Sequence, residues 1–169
     1  MQERKLYSQN VWVENQLQPA TVCLKDGTIT NIHFEQLTAA EDFGNSVIMP
    51  GVIDVHVHIN EPGRTEWEGF ETATQAAAAG GTTTIVDMPL NASPVTTTLP
   101  AFEEKLEASH GQLNVNVGFY AGLIPGNANH LEALMQAGVV GVKCFLTHSG
   151  IDEFPNVTEK DLDEAMPII

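Results

Sequence analysis

His56 and His58 stand two residues apart at the end of the run Val47-Ile48-Met49-Pro50-Gly51-Val52-Ile53-Asp54-Val55. In a strand, residues i and i+2 project from the same face, so the two imidazoles stand side by side. Neutral imidazole is a common metal ligand, and such a pair is suited to holding an ion. The same spacing also suits surface or hydrogen-bonded core histidines, so the surroundings carry the argument. The preceding residues are rich in β-branched side chains, as in a buried strand, and Asn60-Glu61-Pro62-Gly63-Arg64 follows as a loop. The histidines therefore fall near the C-terminal end of a buried strand, where parallel α/β architectures place their chemistry. A third candidate is Lys143, the only charge in Gly141-Val142-Lys143-Cys144-Phe145-Leu146. A lysine inside an apolar strand is costly unless neutralised, paired or used chemically. Its long stem can carry the ammonium to solvent; alternatively, its neutral amine can capture carbon dioxide as a carbamate, an anion able to bridge two metal ions.

The elements that must position these residues are legible from periodicity. Up to about residue 49, short alternating runs (Val11, Val13; Val22, Leu24) and a turn at Asp26-Gly27 before Ile29, Ile32 and Phe34 predict a small β module. From Pro50 onward, strands are expected near 52–59, 82–88, 113–120 and 139–146, recurring about every 30 residues, the length of a βα unit. Thr65-x-x-Glu68 predicts a capping box opening a helix with Trp67, Phe70, Thr74, Ala77 and Ala78 on its face, stopped by Gly80-Gly81. A second helix is expected after Thr98 with Phe102 and Leu106 inward. A third should carry Leu131, Leu134 and Met135 to Gly138, and a fourth, after Thr158, Leu162, Ala165 and Met166. Four βα units make an α/β chain forming the first half of a (β/α)8 TIM-type barrel, since a whole one needs roughly 250 residues. A small doubly wound sheet is the alternative.

Composition narrows the functions. Of 169 residues, 43% are hydrophobic and 17% charged, which fits a globular chain. Seven Lys+Arg against 22 Asp+Glu leave a formal charge of −15, which opposes nucleic acid and anionic membrane surfaces. The first residues carry no signal-peptide pattern and no apolar run approaches about 18 residues, so a cytoplasmic location is expected. Two cysteines, Cys23 and Cys144, are too few for a disulfide framework. Phosphate-cradling glycine motifs and a Gly-x-Ser-x-Gly elbow are absent, which removes nucleotide-binding and serine-hydrolase readings.

Several blocks in order resemble one family: His56-Val57-His58 with Glu61-Pro62-Gly63, Ala76-Ala77-Ala78-Ala79-Gly80-Gly81-Thr82-Thr83-Thr84, Asp87-Met88-Pro89 and the Gly-x-Lys-x-Phe strand. Together they resemble the cyclic amidohydrolases of the amidohydrolase superfamily. Within these, Asn60 through Phe70, Met88-Pro89-Leu90-Asn91 and Lys143-Cys144-Phe145-Leu146 are most similar to the allantoinase group. The resemblance covers nearly the whole chain, and implies that residues 1–49 belong to a composite β-sandwich and that 50–169 begin a metal-dependent barrel. It further implies that His56 and His58 bind the more buried of two divalent ions, zinc foremost, and that Lys143, carboxylated by carbon dioxide, bridges both. Two more histidines and a catalytic aspartate are implied on later strands, so the chain is expected to be an N-terminal fragment, inactive alone, of a homo-oligomer, a tetramer by resemblance.

The implied reaction is hydrolytic opening of a cyclic ureide, allantoin to allantoate. Dihydroorotases carry an arginine two positions after the second ligand histidine, suited to a substrate carboxylate. Here that position is Asn60, a neutral amide better matched to an uncharged ureide. Asn91 is a second candidate contact, with a turn role as its alternative. His148, five residues after Lys143, falls where dihydropyrimidinases place an oxyanion-contacting tyrosine, with a loop histidine as the alternative reading. Dihydroorotase or hydantoinase activity, and a non-catalytic dihydropyrimidinase-like interaction module, are the competing functions.

Overall fold

The computed structural model describes residues 3–169, which divide into two compact units, one ending at Pro50 and the other spanning Gly51–Ile169. In the first unit, β1 (Arg4–Val13), β2 (Gln16–Lys25) and β3 (Thr28–His33) form an antiparallel meander. Its two hairpin turns, Glu14-Asn15 and Asp26-Gly27, hold all four residues at positive φ, between 52° and 78°. Such turns match the twist of the flanking strands. Two short strands, β4 (Glu41–Asp42) and β5 (Val47–Ile48), then pair parallel with β1. Val11, Ala20 and Val22 form the core of this sheet.

The second unit alternates strand and helix. β6 (Val52–Val57), β7 (Thr82–Asp87), β8 (Asn116–Gly122) and β9 (Gly141–Lys143) lie parallel in that order, and α1 (Phe70–Ala79), α2 (Leu99–Ser109) and α3 (Ala128–Gln136) connect them before α4 (Glu159–Ala165). This is the half-barrel expected from the spacing. The pleat sorts its residues. Val57, Ile59, Ile85, Val117, Phe119, Ala121 and Val142 pack with Phe70, Phe102 and Leu134 in the layer between sheet and helices. By alternation the residues between them on each strand, His56, His58, Gly118, Tyr120, Gly141 and Lys143, point to the opposite, barrel-interior face.

Three helix readings need correction. The first helix starts at Phe70, five residues after Thr65, because residues 61–67 wind as turns and its first amide is capped from a distance: Phe70 N–H donates to Glu61 Oε2 at 2.8 Å. Trp67 is accordingly outside the helix and 63% exposed, while Phe70 and Thr74 are fully buried. Burying a phenylalanine contributes about 1.5–3 kcal/mol. In α2 the inward residues are Ala101, Phe102, Lys105 and Ser109, and Leu106 is exposed. In α4, Ala165 is buried but Met166 is exposed. The caps at Thr98 and Thr158 stand as read: Thr98 Oγ1 accepts from Ala101 N–H, and Asp161 Oδ2 accepts from Thr158 N–H at 2.8 Å.

β6 and β9 are the two edges of the four-stranded sheet, and β6 leaves Val52, Ile53 and Val55 half or more exposed. An apolar edge strand of this kind templates pairing with another chain. Residues 1–169 expressed alone are therefore expected to self-associate. Light scattering that found a monodisperse monomer, with a cooperative melt, would contradict this.

Candidate functional site

Strand alternation turns His56, His58 and Lys143 to the interior face at the C-terminal end of the sheet. The His56 and His58 rings lie 5.4 Å apart, centroid to centroid, tilted by 49°. His58 is held below the ordinary histidine pKa, chiefly by burial and secondarily by the nearby charges of His56, Lys143 and Lys105, with a hydrogen bond to the Leu90 backbone opposing the fall. The shift favours the neutral imidazole, the form a metal ligand needs. Lys143 lies three strands away, and the alternation of β9 turns it to the same face as the histidines. Lys143 is partly buried on the last residue of β9, with its Nζ 4.8 Å from the centre of the Phe145 ring.

Among the described residues, no group of three or more His, Cys, Asp or Glu side chains is placed to hold a metal ion. Two imidazoles alone fall short of a closed site. A lysine converted to its carbamate would add the missing anionic oxygens, so this donor set fits a borderline divalent cation provided Lys143 is the third member.

The loops after the strands line the same end. Asn60 is buried, and its Oδ1 lacks a hydrogen-bond partner. Asn91 adopts φ 72°, and its Nδ2 lies 3.5 Å from His58 Nδ1. Gly63 is required where it stands: its φ is 88°, and a Cβ there would come within 2.4 Å of the Ser93 carbonyl oxygen. His148 stays apart. It sits in an exposed loop, its Nδ1 accepting from Gly150 N–H at 3.0 Å and its Nε2 3.8 Å from Asp152 Oδ1.

Two features were not read from the sequence. Arg64 ties three loops together, donating from Nη1 to the Asn91 carbonyl at 2.8 Å and from Nη2 to Glu153 Oε1 at 3.1 Å while lying over the Trp67 ring. Below the histidines, Lys105 of α2 makes a 2.6 Å ion pair with Asp87 of β7, both almost fully buried. The available signal was a single carboxylate inside the apolar Thr82–Met88 strand, which needed a partner, together with a lysine three residues after Phe102 on the inward face.

Burial pushes the Asp87 carboxyl up to about 6, against the pull of Lys105. A carboxyl raised on folding binds its proton more tightly in the native state, so its contribution favours folding below the unfolded value and is lost as pH rises through about 6. Without Lys105 the carboxyl rises further, so Lys105→Met is expected to destabilise by about 3–5 kcal/mol near pH 8. The deficit should shrink near pH 5, where Asp87 is buried as the neutral acid. Urea midpoints of the complete gene product at both pH values check this; an equal deficit would contradict it.

Comparison with known proteins agrees with the geometry. Residues 47–166 match the model of the Amidohydrolase family. The chain is 59% identical over 127 residues to "Probable allantoinase 2" of Dictyostelium discoideum, covering 75% of this chain and 24% of that protein. It is 48% identical to "Allantoinase, mitochondrial" of Aquarana catesbeiana, covering 94% of this chain and 34% of the relative. Among solved structures, the L-hydantoinase (dihydropyrimidinase) of Arthrobacter aurescens superposes with a TM-score of 0.81 at 31% identity, over 96% of this chain and 37% of the other. The chain thus spans about a quarter to a third of the length of these curated relatives.

Proposed function

The chain belongs to the amidohydrolase family, whose enzymes are generally metal-dependent, and from that premise we propose that the whole protein hydrolyses a cyclic amide, with allantoin opened to allantoate as its reaction. What supports this reading is the strand alternation that turns His56, His58 and Lys143 to one face at the strand ends, with the two histidine rings 5.4 Å apart. Identity to curated allantoinases supports the choice of substrate.

In this reading His56 and His58 would hold one divalent ion, zinc foremost, and Lys143, as its carbamate, would be the anionic member of the ligand set. Bound there, such ions would supply an acidified water and polarise the amide carbonyl. The chain's own contributions are orientation and selection. Burial holds the His58 pKa down, which favours the neutral ring. The strand pairing of β8 and β9, Gly122 opposite Lys143, sets the height of the lysine.

Asn60 and Asn91 are the residues proposed to meet the substrate. The unpartnered Asn60 Oδ1 accepts a hydrogen bond from a ureide N–H in this reading, which relieves a buried polar atom that otherwise costs stability. Neither asparagine offers a positive charge to a substrate carboxylate. The one arginine of these loops, Arg64, is engaged by the Asn91 carbonyl and Glu153. His148 is not given a role, since it faces Asp152 in its own loop. A tetramer remains part of the proposal by family resemblance.

A site built to exclude carboxylates discriminates strongly, because an unpaired buried anion costs several kcal/mol. The complete gene product is expected to give its highest kcat/KM with allantoin, and to turn over dihydroorotate at least ~100-fold less efficiently. Side-by-side assays with allantoin, dihydroorotate, hydantoin and dihydrouracil test this. Dihydroorotate or dihydrouracil as the best substrate would overturn the substrate while leaving the amidohydrolase reading in place.

A further inference from the structure

Where β6 leaves the sheet, a side chain rewires the hydrogen-bond ladder. In a parallel pair, the residue opposite a given position bonds to both neighbours of that position. With Val57 paired to Asp87, Met88 stands opposite His58. It donates its N–H to the Val57 carbonyl at 2.8 Å, as the ladder requires. Its own carbonyl would then accept from Ile59 N–H. Instead Ile59 N–H donates to Asp87 Oδ1 at 2.7 Å, and the Met88 carbonyl accepts from Lys105 Nζ at 3.1 Å. The same Nζ donates to Asp87 Oδ2 at 2.6 Å. Ile59, Asp87 and Lys105 are all fully buried.

We propose that Asp87, oriented by Lys105, is a positioning residue for His58. Its carboxylate replaces a ladder carbonyl and fixes the peptide that follows the histidine, while the Met88 amide, through the Val57 carbonyl, fixes the peptide that precedes it. Ile59 is thereby drawn into the core against Phe70 and Ile85, and the imidazole between these two anchors is held on the opposite face. Asp87 touches neither cation nor substrate. Lys105 fixes the direction of the carboxylate, and the pair places no net charge beneath a cation site.

The inference rests on the reading of His56 and His58 as metal ligands, and the test separates the two. Two double variants of the complete gene product remove the charges together: Asp87→Asn/Lys105→Met retains an oxygen for Ile59 N–H, and Asp87→Leu/Lys105→Met does not. Zinc affinity is measured by competition with a chromophoric chelator, alongside thermal melting. The asparagine variant is expected to bind zinc within about threefold of wild type, and the leucine variant about 10- to 100-fold more weakly, the usual cost of losing a ligand's support. If the leucine variant does not fold, Asp87→Ala/Lys105→Met removes the acceptor with less crowding. A merely structural pair would shift the melting temperature but leave the two zinc affinities equal, and equal affinities overturn the positioning role. His56→Ala distinguishes the failures: if it loses zinc while the double variants match, only the positioning role falls. If His56→Ala binds zinc like wild type, the metal reading falls and the positioning role with it.

Discussion

The site depends on the two-residue pleat of the first barrel strand. Val57 and Ile59 belong to the layer between sheet and helices, with Ile59 fully buried against Phe70 and Ile85. Once they face that way, His56 and His58 face the other. A one-residue slip in register would send the histidines into an apolar core and the aliphatic residues into the barrel. The hydrophobic energy that sets the register of β6 therefore also sets the orientation of both imidazoles. On β9 the same rule, with Val142 in the core, turns Lys143 to the interior.

Burial then tunes what orientation has arranged. The His58 pKa is held down mainly by desolvation, and the nearby positive charges reinforce that. On the neighbouring strand, desolvation acts on a carboxylate and raises Asp87, so the protein compensates with Lys105 at 2.6 Å. An ion pair of this kind contributes little net stability over well-packed apolar residues. Its presence beneath the histidines makes sense through geometry: a carboxylate accepts at two oxygens, and here one serves Ile59 and the other Lys105.

Much of this was legible in the sequence because it rests on local patterns. The apolar runs gave four strands, the cap residues Thr98 and Thr158 gave two helix starts, and a lone charge in an apolar strand marked Lys143. What escaped depends on partners far apart in the chain. Glu61 caps a helix nine residues on by reaching Phe70 N–H, so the local Thr65-x-x-Glu68 pattern was misleading. Lys105 outcompetes Leu106 for the inward face of α2 because Asp87 waits there, a pairing across 18 residues. Arg64 and Glu153 are 89 residues apart, and periodicity carries no information about such a link.

The proposed function stands or falls on whether His56, His58 and Lys143 together hold metal. Anomalous X-ray diffraction at the zinc edge, from crystals of the complete gene product grown with zinc, tests it most directly. An anomalous peak is expected about 2.0–2.1 Å from one nitrogen of each histidine, with a second peak nearby and density for a carboxylated Lys143 joining them. Zinc bound elsewhere, with Lys143 a free amine and the two histidines unligated, would contradict it.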